Sequence, residues 1–350
     1  MSNVKVSRDL RTPVWWADAM LLLVAVVWGA SYGLAKGAVV FYPVLGFLAV
    51  RFCVTAVLLL LLPTLRGLSW GELKVTLKAG VPLGLILLAV FIAETYGVSL
   101  TLASNAAFLI SLCVVFTPFV EWIVLRSRPD ATGFVAAAVS LVGAWLLTSG
   151  ISLTFNLGDA LILIAALLRA VMVACTNRLT YGRNIPSLPL TAVQTGTVGL
   201  GCMMLGIMVL PGGLPPLPHD LAFWYATGFL VVFCTLFAFF AQNHALQRSS
   251  PTRVSLLMGT EPVFGALFAV CWLNESLTLA GWLGGLMMVA ASLWAMLKSK
   301  KPAVQPRMDS AEDRALGEPH PESRAYPDVP TRTPPPGSVK APSLRPAPAE

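Results

Sequence analysis

The feature that most constrains this chain is a succession of ten apolar windows. Each is about 20 residues long, the length a helix needs to cross the hydrocarbon of a bilayer. The windows fall at 16–36, 43–63, 79–99, 104–125, 131–149, 157–177, 189–210, 221–243, 252–273 and 277–297. In hydrocarbon the backbone must satisfy its own hydrogen bonds, which leaves only helices and closed barrels. These runs are too long and too continuously apolar for barrel strands, which need about 9–11 residues and alternate in character. The sequence therefore predicts an all-α polytopic membrane protein with ten transmembrane helices.

Charge supports this reading. Only 12% of the 350 residues are charged, about half the share in soluble domains. Residues 299–350 hold 15 of the 41 charges, leaving 26 for the first 298 residues. A water-soluble enzyme of that size could not cover its surface with so few.

The net charge of +7 invites a nucleic-acid reading until the positive residues are mapped. Lys5, Arg8 and Arg11 precede window 1, and Arg66, Lys74 and Lys78 follow window 2. Arg126 and Arg128 follow window 4, and Arg178 and Arg183 follow window 6. Arg248 and Arg253 flank the start of window 9, and Lys298, Lys300 and Lys301 follow window 10. The opposite set of loops has only Lys36. Fifteen positive residues on one side against one on the other place both termini in the cytoplasm by the positive-inside rule. Trp15, Trp16, Trp70, Trp224, Trp272 and Trp282 stand near window ends, as interfacial aromatic belts require.

The six cysteines are scattered singly in apolar runs, with no metal-ligand spacing, and read as small packing residues. No metal, cofactor or nucleic-acid partner is expected. The first apolar run is long enough to remain as a span, so no cleaved leader is expected. Residues 299–350 carry 12 prolines among 52 residues and few large apolar side chains. That composition predicts a disordered cytoplasmic tail.

The chain also resembles itself. Asp18-Ala19-Met20-Leu21 matches Asp159-Ala160-Leu161-Ile162, and Thr117-Pro118 matches Glu261-Pro262. Gly133-Phe134 and Gly281-Trp282 open windows 5 and 10. Halves of five helices each must be inverted relative to one another if they share a fold. Inverted repeats are typical of secondary transporters, with the substrate held between the repeats near the midplane.

Five charges lie well inside the windows: Arg51, Glu94, Glu121, Arg169 and Glu261. Each costs about 2.5–3.5 kcal/mol at a helix centre on insertion scales, so each must face the bundle interior or a partner. For Arg51 a buried pair that locks two helices competes evenly with a functional role. Glu121, about one turn from the end of window 4, is expected to reach the interface. Asp18 and Asp159 read as first-turn caps.

Glu261 is the foremost candidate. Pro262 follows it, lacks an N–H and clashes with the carbonyl of Met258, so the helix should kink beside the acid. An acid there is a candidate substrate or proton site. Pro118 gives a related kink beside Thr117, and both prolines are candidate hinges. Arg169 has no partner near it in sequence and is suited to an anionic group or a glutamate. Glu94, Trp28, Tyr32, Asn105 and Gln242 complete the candidate binding set, Trp28 and Tyr32 being four apart on one helix face.

These residues carry a resemblance to the EamA-like branch of the drug/metabolite transporter superfamily. It rests on Trp28-Gly29-Ala30-Ser31, Arg51-Phe52, Glu94-Thr95-Tyr96-Gly97-Val98 and the run from Thr101 to Leu109. In the second half it rests on Ala241-Gln242-Asn243, Ser250-Pro251-Thr252-Arg253, Glu261-Pro262-Val263-Phe264, Asn274-Glu275-Ser276-Leu277 and Gly284-Gly285. The resemblance implies ten helices as two inverted five-helix repeats, 16–149 and 157–298, between an N-terminus at 1–15 and a tail at 299–350. It also implies carrier-type transport of small metabolites, and it puts the acid–proline motif of window 9 beside a central cavity. Many relatives have an aromatic residue where Arg169 stands, and glutamine is common near Glu94.

The expected function is secondary active transport of a small polar metabolite (amino acid, nucleoside or organic anion) across the plasma membrane by alternating access. Export is the expected direction, with proton coupling through Glu261. No P-loop is present for ATP use. A channel, or a membrane enzyme acting on lipids, is the alternative. The histidines, His219, His244 and His320, are well separated in sequence and form no Ser/His/Asp set.

Overall fold

Proline and glycine stand at two of the breaks between the helices of this chain, after Gly29 and before Pro262. The computed structural model describes residues 14–62, 68–101, 103–126, 131–147, 156–183, 185–273 and 278–298. The tail at 299–350 lies outside the described residues. Among the described residues every regular element is a helix. In chain order these are α1 (Val14–Gly29), α2 (Ser31–Phe41), α3 (Val44–Leu60), α4 (Trp70–Leu100) and α5 (Ala103–Ser111). Then come α6 (Cys113–Leu125), α7 (Ala131–Leu147), α8 (Leu157–Thr180), α9 (Ser187–Val209) and α10 (Leu221–Phe229). A π-helical segment (Leu230–Phe237) leads into α11 (Ala238–Leu246), followed by α12 (Pro251–Met258), α13 (Glu261–Leu273) and α14 (Leu279–Lys298).

Among the described residues five stretches are long and apolar enough to cross a membrane: Trp70–Leu100, Phe108–Leu125, Leu157–Thr180, Ser187–Val209 and Leu221–Leu246. The pair α1 and α2, bent by 45°, makes a sixth if taken as one span. Val44–Leu60, Ala131–Leu147 and Leu279–Ala295 are shorter apolar helices. Ala131–Leu147 borders residues outside those described on both sides.

The break before Glu261 has a local cause. Pro262 has no N–H to donate to the Met258 carbonyl, and α12 ends at Met258, with Gly259 and Thr260 forming a turn. Glu261 thereby becomes the first residue of α13, where the unpaired N–H groups and the helix dipole favour an acid. Gly29 ends α1 and packs against α13. A Cβ at Gly29 would stand 2.7 Å from the Gly265 backbone nitrogen and 2.8 Å from the Glu261 carbonyl. Pro118 behaves otherwise: α6 runs through it, and the interruption between α5 and α6 falls at Leu112.

The helices pair α7 with α14, α3 with α9, α4 with α8 and α9, and α6 with α8, while α1 packs on α11, α12 and α13. Small residues bring the backbones together. A Cβ on Gly143 of α7 would lie 2.6 Å from the Gly284 carbonyl of α14, and one on Gly284 would collide with the Gly143 carbonyl. Close backbone approach of this kind is how helices associate where lipid leaves little hydrophobic drive. Phe47, Phe52, Phe223 and Leu83 are fully buried in the largest core cluster. Leu85, Leu200, Ile207, Val232 and Leu286 instead face outward, so the outer surface is apolar, as lipid requires. Trp15, Trp16, Trp70, Trp224 and Trp282 are exposed. Trp272 has a side chain outside those described.

Two acids differ from the sequence expectation. Asp18 lies beyond the first turn of α1 and does not cap it; its carboxylate takes two bonds from Arg253, at 2.7 and 3.2 Å. Glu121 does not reach the interface. It is buried and accepts from the Thr252 backbone N–H at 2.9 Å and from the Thr252 hydroxyl. The N-terminus of α12 lies opposite it, so Glu121 satisfies that helix's orphan N–H group from across the bundle. Asp159 does cap, forming a capping box with Asn156 and accepting at 2.5 Å from the Thr101 hydroxyl.

Candidate functional site

Three discontinuities meet the middles of α3, α4 and α8 around one cavity. In the π-helical segment Thr235 Oγ1 donates to the Leu230 carbonyl five residues back, at 2.8 Å. This turn gives the Cys234 carbonyl to the Trp28 indole N–H at 3.0 Å. It also offers Thr235 Oγ1 to the Nε of Arg51 at 2.8 Å. π-Segments recur at functional sites because they re-aim groups in this way.

The cavity holds roughly 700 Å³ of space between atoms, its mouth included. One wall is apolar or aromatic, with Trp28, Leu87, Val90, Phe91, Met172 and Phe239. The other groups are charged or polar: Arg51, Glu94, Arg169, Glu261, Tyr32 and Gln242, with Ser31 and Thr95.

The charges are arranged in two ways. Arg169 Nη2 lies 3.6 Å from Glu261 Oε2, and the Arg169 guanidinium sits 4.5 Å from the centroid of the Trp28 ring. The ring's negative face stabilises the cation alongside the carboxylate. Arg51 stacks near two rings, 5.3 Å from Phe52 and 5.2 Å from Phe91. Among the described residues it forms no ion pair, although Glu94 lines the same cavity. Two cations and two acids thus face one space, with one pair joined.

Two polar atoms on the wall are buried without a hydrogen-bond partner among the described residues: the Tyr32 hydroxyl and Gln242 Oε1. Tyr32 stands beside Glu261 without reaching hydrogen-bond geometry. Orphaned polar atoms in a buried wall cost free energy unless something else meets them, so both suit contact with a polar guest.

Of the residues singled out in the sequence, Trp28, Tyr32, Glu94, Arg169, Gln242 and Glu261 all line this cavity. Asn105 lies on α5, but its side chain is outside those described. Pro262 borders a smaller neighbouring cavity, and Pro118 is buried in α6 away from the main one. Arg51 belongs to the cavity although its position in the sequence pointed equally to a structural lock. Phe91 and Phe239 give no sequence signal beyond an apolar helix.

The chain is similar to known membrane transporters. The model of the EamA-like transporter family matches twice, over residues 15–149 and 156–297. An uncharacterized transporter of Archaeoglobus fulgidus is 28% identical over 291 residues, covering 81% of this chain and 86% of its own. The uncharacterized inner membrane transporter YedA of Escherichia coli K12 is 28% identical over 302 residues, covering 83% of this chain and 95% of its own. A crystal structure of a protein 15% identical shares the fold, with a TM-score of 0.64 over 81% of this chain and 97% of the other. With a family match over both halves and a charged cavity enclosed by apolar helices, this integral membrane protein belongs to the EamA-like transporter family.

Proposed function

We propose that the chain is a secondary carrier that moves a small polar metabolite across the cell membrane by alternating access, as an exporter. The observation that carries this reading is the buried cavity lined by Arg51, Glu94, Arg169 and Glu261. Four charges in the interior of an apolar bundle cost too much to be kept for packing alone. Of amino acids, nucleosides and organic anions, the charge balance favours a ligand that is neutral or zwitterionic, because the lining charges sum to zero.

Within this reading the chain has ten spans in two inverted five-helix repeats, 16–149 and 157–298, with both termini cytoplasmic. The helix pairing supports it. Exchanging the halves carries the α4–α8 pairing onto that of α1 with α11, and the α6–α8 pairing onto that of α1 with α13, while α3–α9 and α7–α14 map onto themselves. The cavity then lies where the repeats meet, as in other inverted-repeat carriers. Glu261 and Arg169 contact the substrate, and Glu261 also carries the coupled proton. Glu94, Trp28, Tyr32, Gln242 and Asn105 line the pocket, and the segments around Pro262 and Pro118 flex.

The test is a thermal-shift screen of purified protein against amino acids, nucleosides and organic anions, with hits retested on Glu261→Gln and Arg169→Ala. A hit that loses its shift in both variants supports the site. A hit that shifts both variants as it does the parent places binding elsewhere. Proton coupling is tested separately, by transport with and without a pH gradient. Glu261→Gln retaining full gradient-driven transport would remove Glu261 from that role.

A further inference from the structure

The Arg169–Glu261 pair borders a second cavity as well as the first. This smaller space, about 390 Å³ between atoms with its open mouth included, is lined in part by Ser111, Cys113, Ser255 and Gly259 near the α5–α6 and α12–α13 breaks. Arg169, Gln242 and Glu261 line both cavities. Among the described residues these three are the only groups common to the two linings, so they stand where the two spaces adjoin.

The two cavities extend in opposite directions from this layer. The main cavity reaches Ala35, Thr95 and Val98, near the helix ends where Lys36 donates to the Thr101 carbonyl at 3.2 Å. The smaller one reaches Cys113, Val173 and Ser255, toward the other end. Polar bonds tie that other end shut: Thr117 to Ser255 at 2.9 Å, Glu121 to Thr252, Arg253 to Asp18, and Asn177 to the Leu246 and Ser249 carbonyls at 2.8 and 3.0 Å.

We propose that the smaller cavity is a second ligand station in series with the main one, and that the Arg169–Glu261 pair with Gln242 is the septum between them. This rests on the carrier reading given above. The ligand it takes is a small polar molecule without net charge, because its charged walls, among the described residues, are one guanidinium and one carboxylate. Ser111, Ser255, Cys113 and Gln242 add two hydroxyls, a thiol and an amide to a wall otherwise apolar, with Ile110, Val114, Val173, Met258 and Pro262. Each partner of the pair can exchange the other for an oppositely charged or hydrogen-bonding group of the ligand. The septum then opens without leaving a buried charge unmatched. The pair sits at 3.6 Å, longer than the 2.7 Å of the Arg253–Asp18 pair, as suits a contact that must open.

Cys113 makes the second station addressable without knowing the ligand. Its thiol lies 3.6 Å from the Ser255 hydroxyl on that cavity's wall. The experiment uses the full chain in membrane vesicles and an impermeant methanethiosulfonate reagent. The reagent is applied from the face at which Ala35→Cys, on the main cavity, is labelled. Labelling is read by mass spectrometry, so the native cysteines stay in place. With the pair intact, Cys113 should react far more slowly than Ala35→Cys. In Arg169→Ala, and again in the more conservative Glu261→Gln, Cys113 labelling should rise about tenfold, equivalent to ~1.4 kcal/mol in the opening equilibrium. Fully buried Cys202 should stay unlabelled throughout.

Cys113 labelling that is unchanged when the pair is broken overturns the proposal. So does a rise that Cys202 shares, since that reports loss of fold and not an opened septum. If the labelling behaves as expected but no metabolite saturates transport, the carrier reading fails while the series route stands.

Discussion

Arg169 of α8 and Glu261 of α13 face each other at 3.6 Å, and the same guanidinium lies 4.5 Å from the centroid of the Trp28 ring at the end of α1. One guanidinium thus ties three helices at the cavity wall. Removing one partner of a buried pair strands the other, at a cost of about 3 kcal/mol or more, whereas removing both with size-matched neutral groups is much milder. Arg169→Ala should therefore lower the thermal midpoint in detergent more than the double variant Arg169→Met with Glu261→Gln. Both should abolish ligand-induced stabilisation. A double variant that is as unstable as Arg169→Ala, or that still binds, contradicts this role.

Arg51 depends on Thr235. Its Nε donates to Thr235 Oγ1 at 2.8 Å across the bundle. Thr235→Val keeps the shape and removes the acceptor, which should cost about 1–3 kcal/mol for a buried charged donor. Arg51→Lys lacks the Nε donor and the planar face that stacks on Phe91, so it should lose ligand stabilisation while folding. Equal ligand stabilisation in Arg51→Lys and parent would show that the guanidinium does not face the ligand.

Glu121 and Thr252 offer a test away from the cavity. Glu121 accepts the Thr252 backbone N–H at 2.9 Å and so caps α12 from α6. Glu121→Ala should destabilise by about 1–2 kcal/mol, the scale of a lost N-cap. Ligand affinity should change little. A thermal midpoint equal to the parent's would mean that water replaces the cap without loss.

Close packing gives a sterically defined contrast. At Gly143 an added side chain meets the backbone of α14, whereas at Gly33 a Cβ meets nothing within 4 Å. Gly143→Val should reduce folded yield sharply, by the 1–3 kcal/mol or more typical of overpacking. Gly33→Ala should leave it near the parent's. The comparison is a fluorescence size-exclusion profile of the two variants, and equal profiles would contradict the α7–α14 packing.

What the sequence made legible follows from how local each cause is. The break beside Glu261 follows from the Pro262 ring and the Met258 carbonyl four residues back, both readable in one stretch. The apolar windows on which the helices lie are likewise a matter of composition. The interruption at Leu112 was not legible, because it arises between helices and carries no breaker of its own, while Pro118 nearby leaves α6 continuous. Asp18 looked like a cap because its partner Arg253 is 235 residues away. Glu121 looked interfacial for the same reason, since the N-terminus of α12 is brought to it only by the fold. Arg51 stayed ambiguous because its acceptor lies in a π-segment, and nothing in Leu230–Phe237 marks a shifted turn. Mid-window charge located the cavity; which charges are paired in it needed three dimensions.

The central claim is that the charged cavity carries a metabolite by alternating access. The most direct measurement is counterflow in proteoliposomes preloaded with the strongest hit from the amino-acid, nucleoside and organic-anion screen. The chain should drive saturable uptake of the labelled compound that requires the preload, and Arg169→Ala should abolish it. Flux that rises linearly with concentration and ignores the preload, or that survives in Arg169→Ala, would contradict the account.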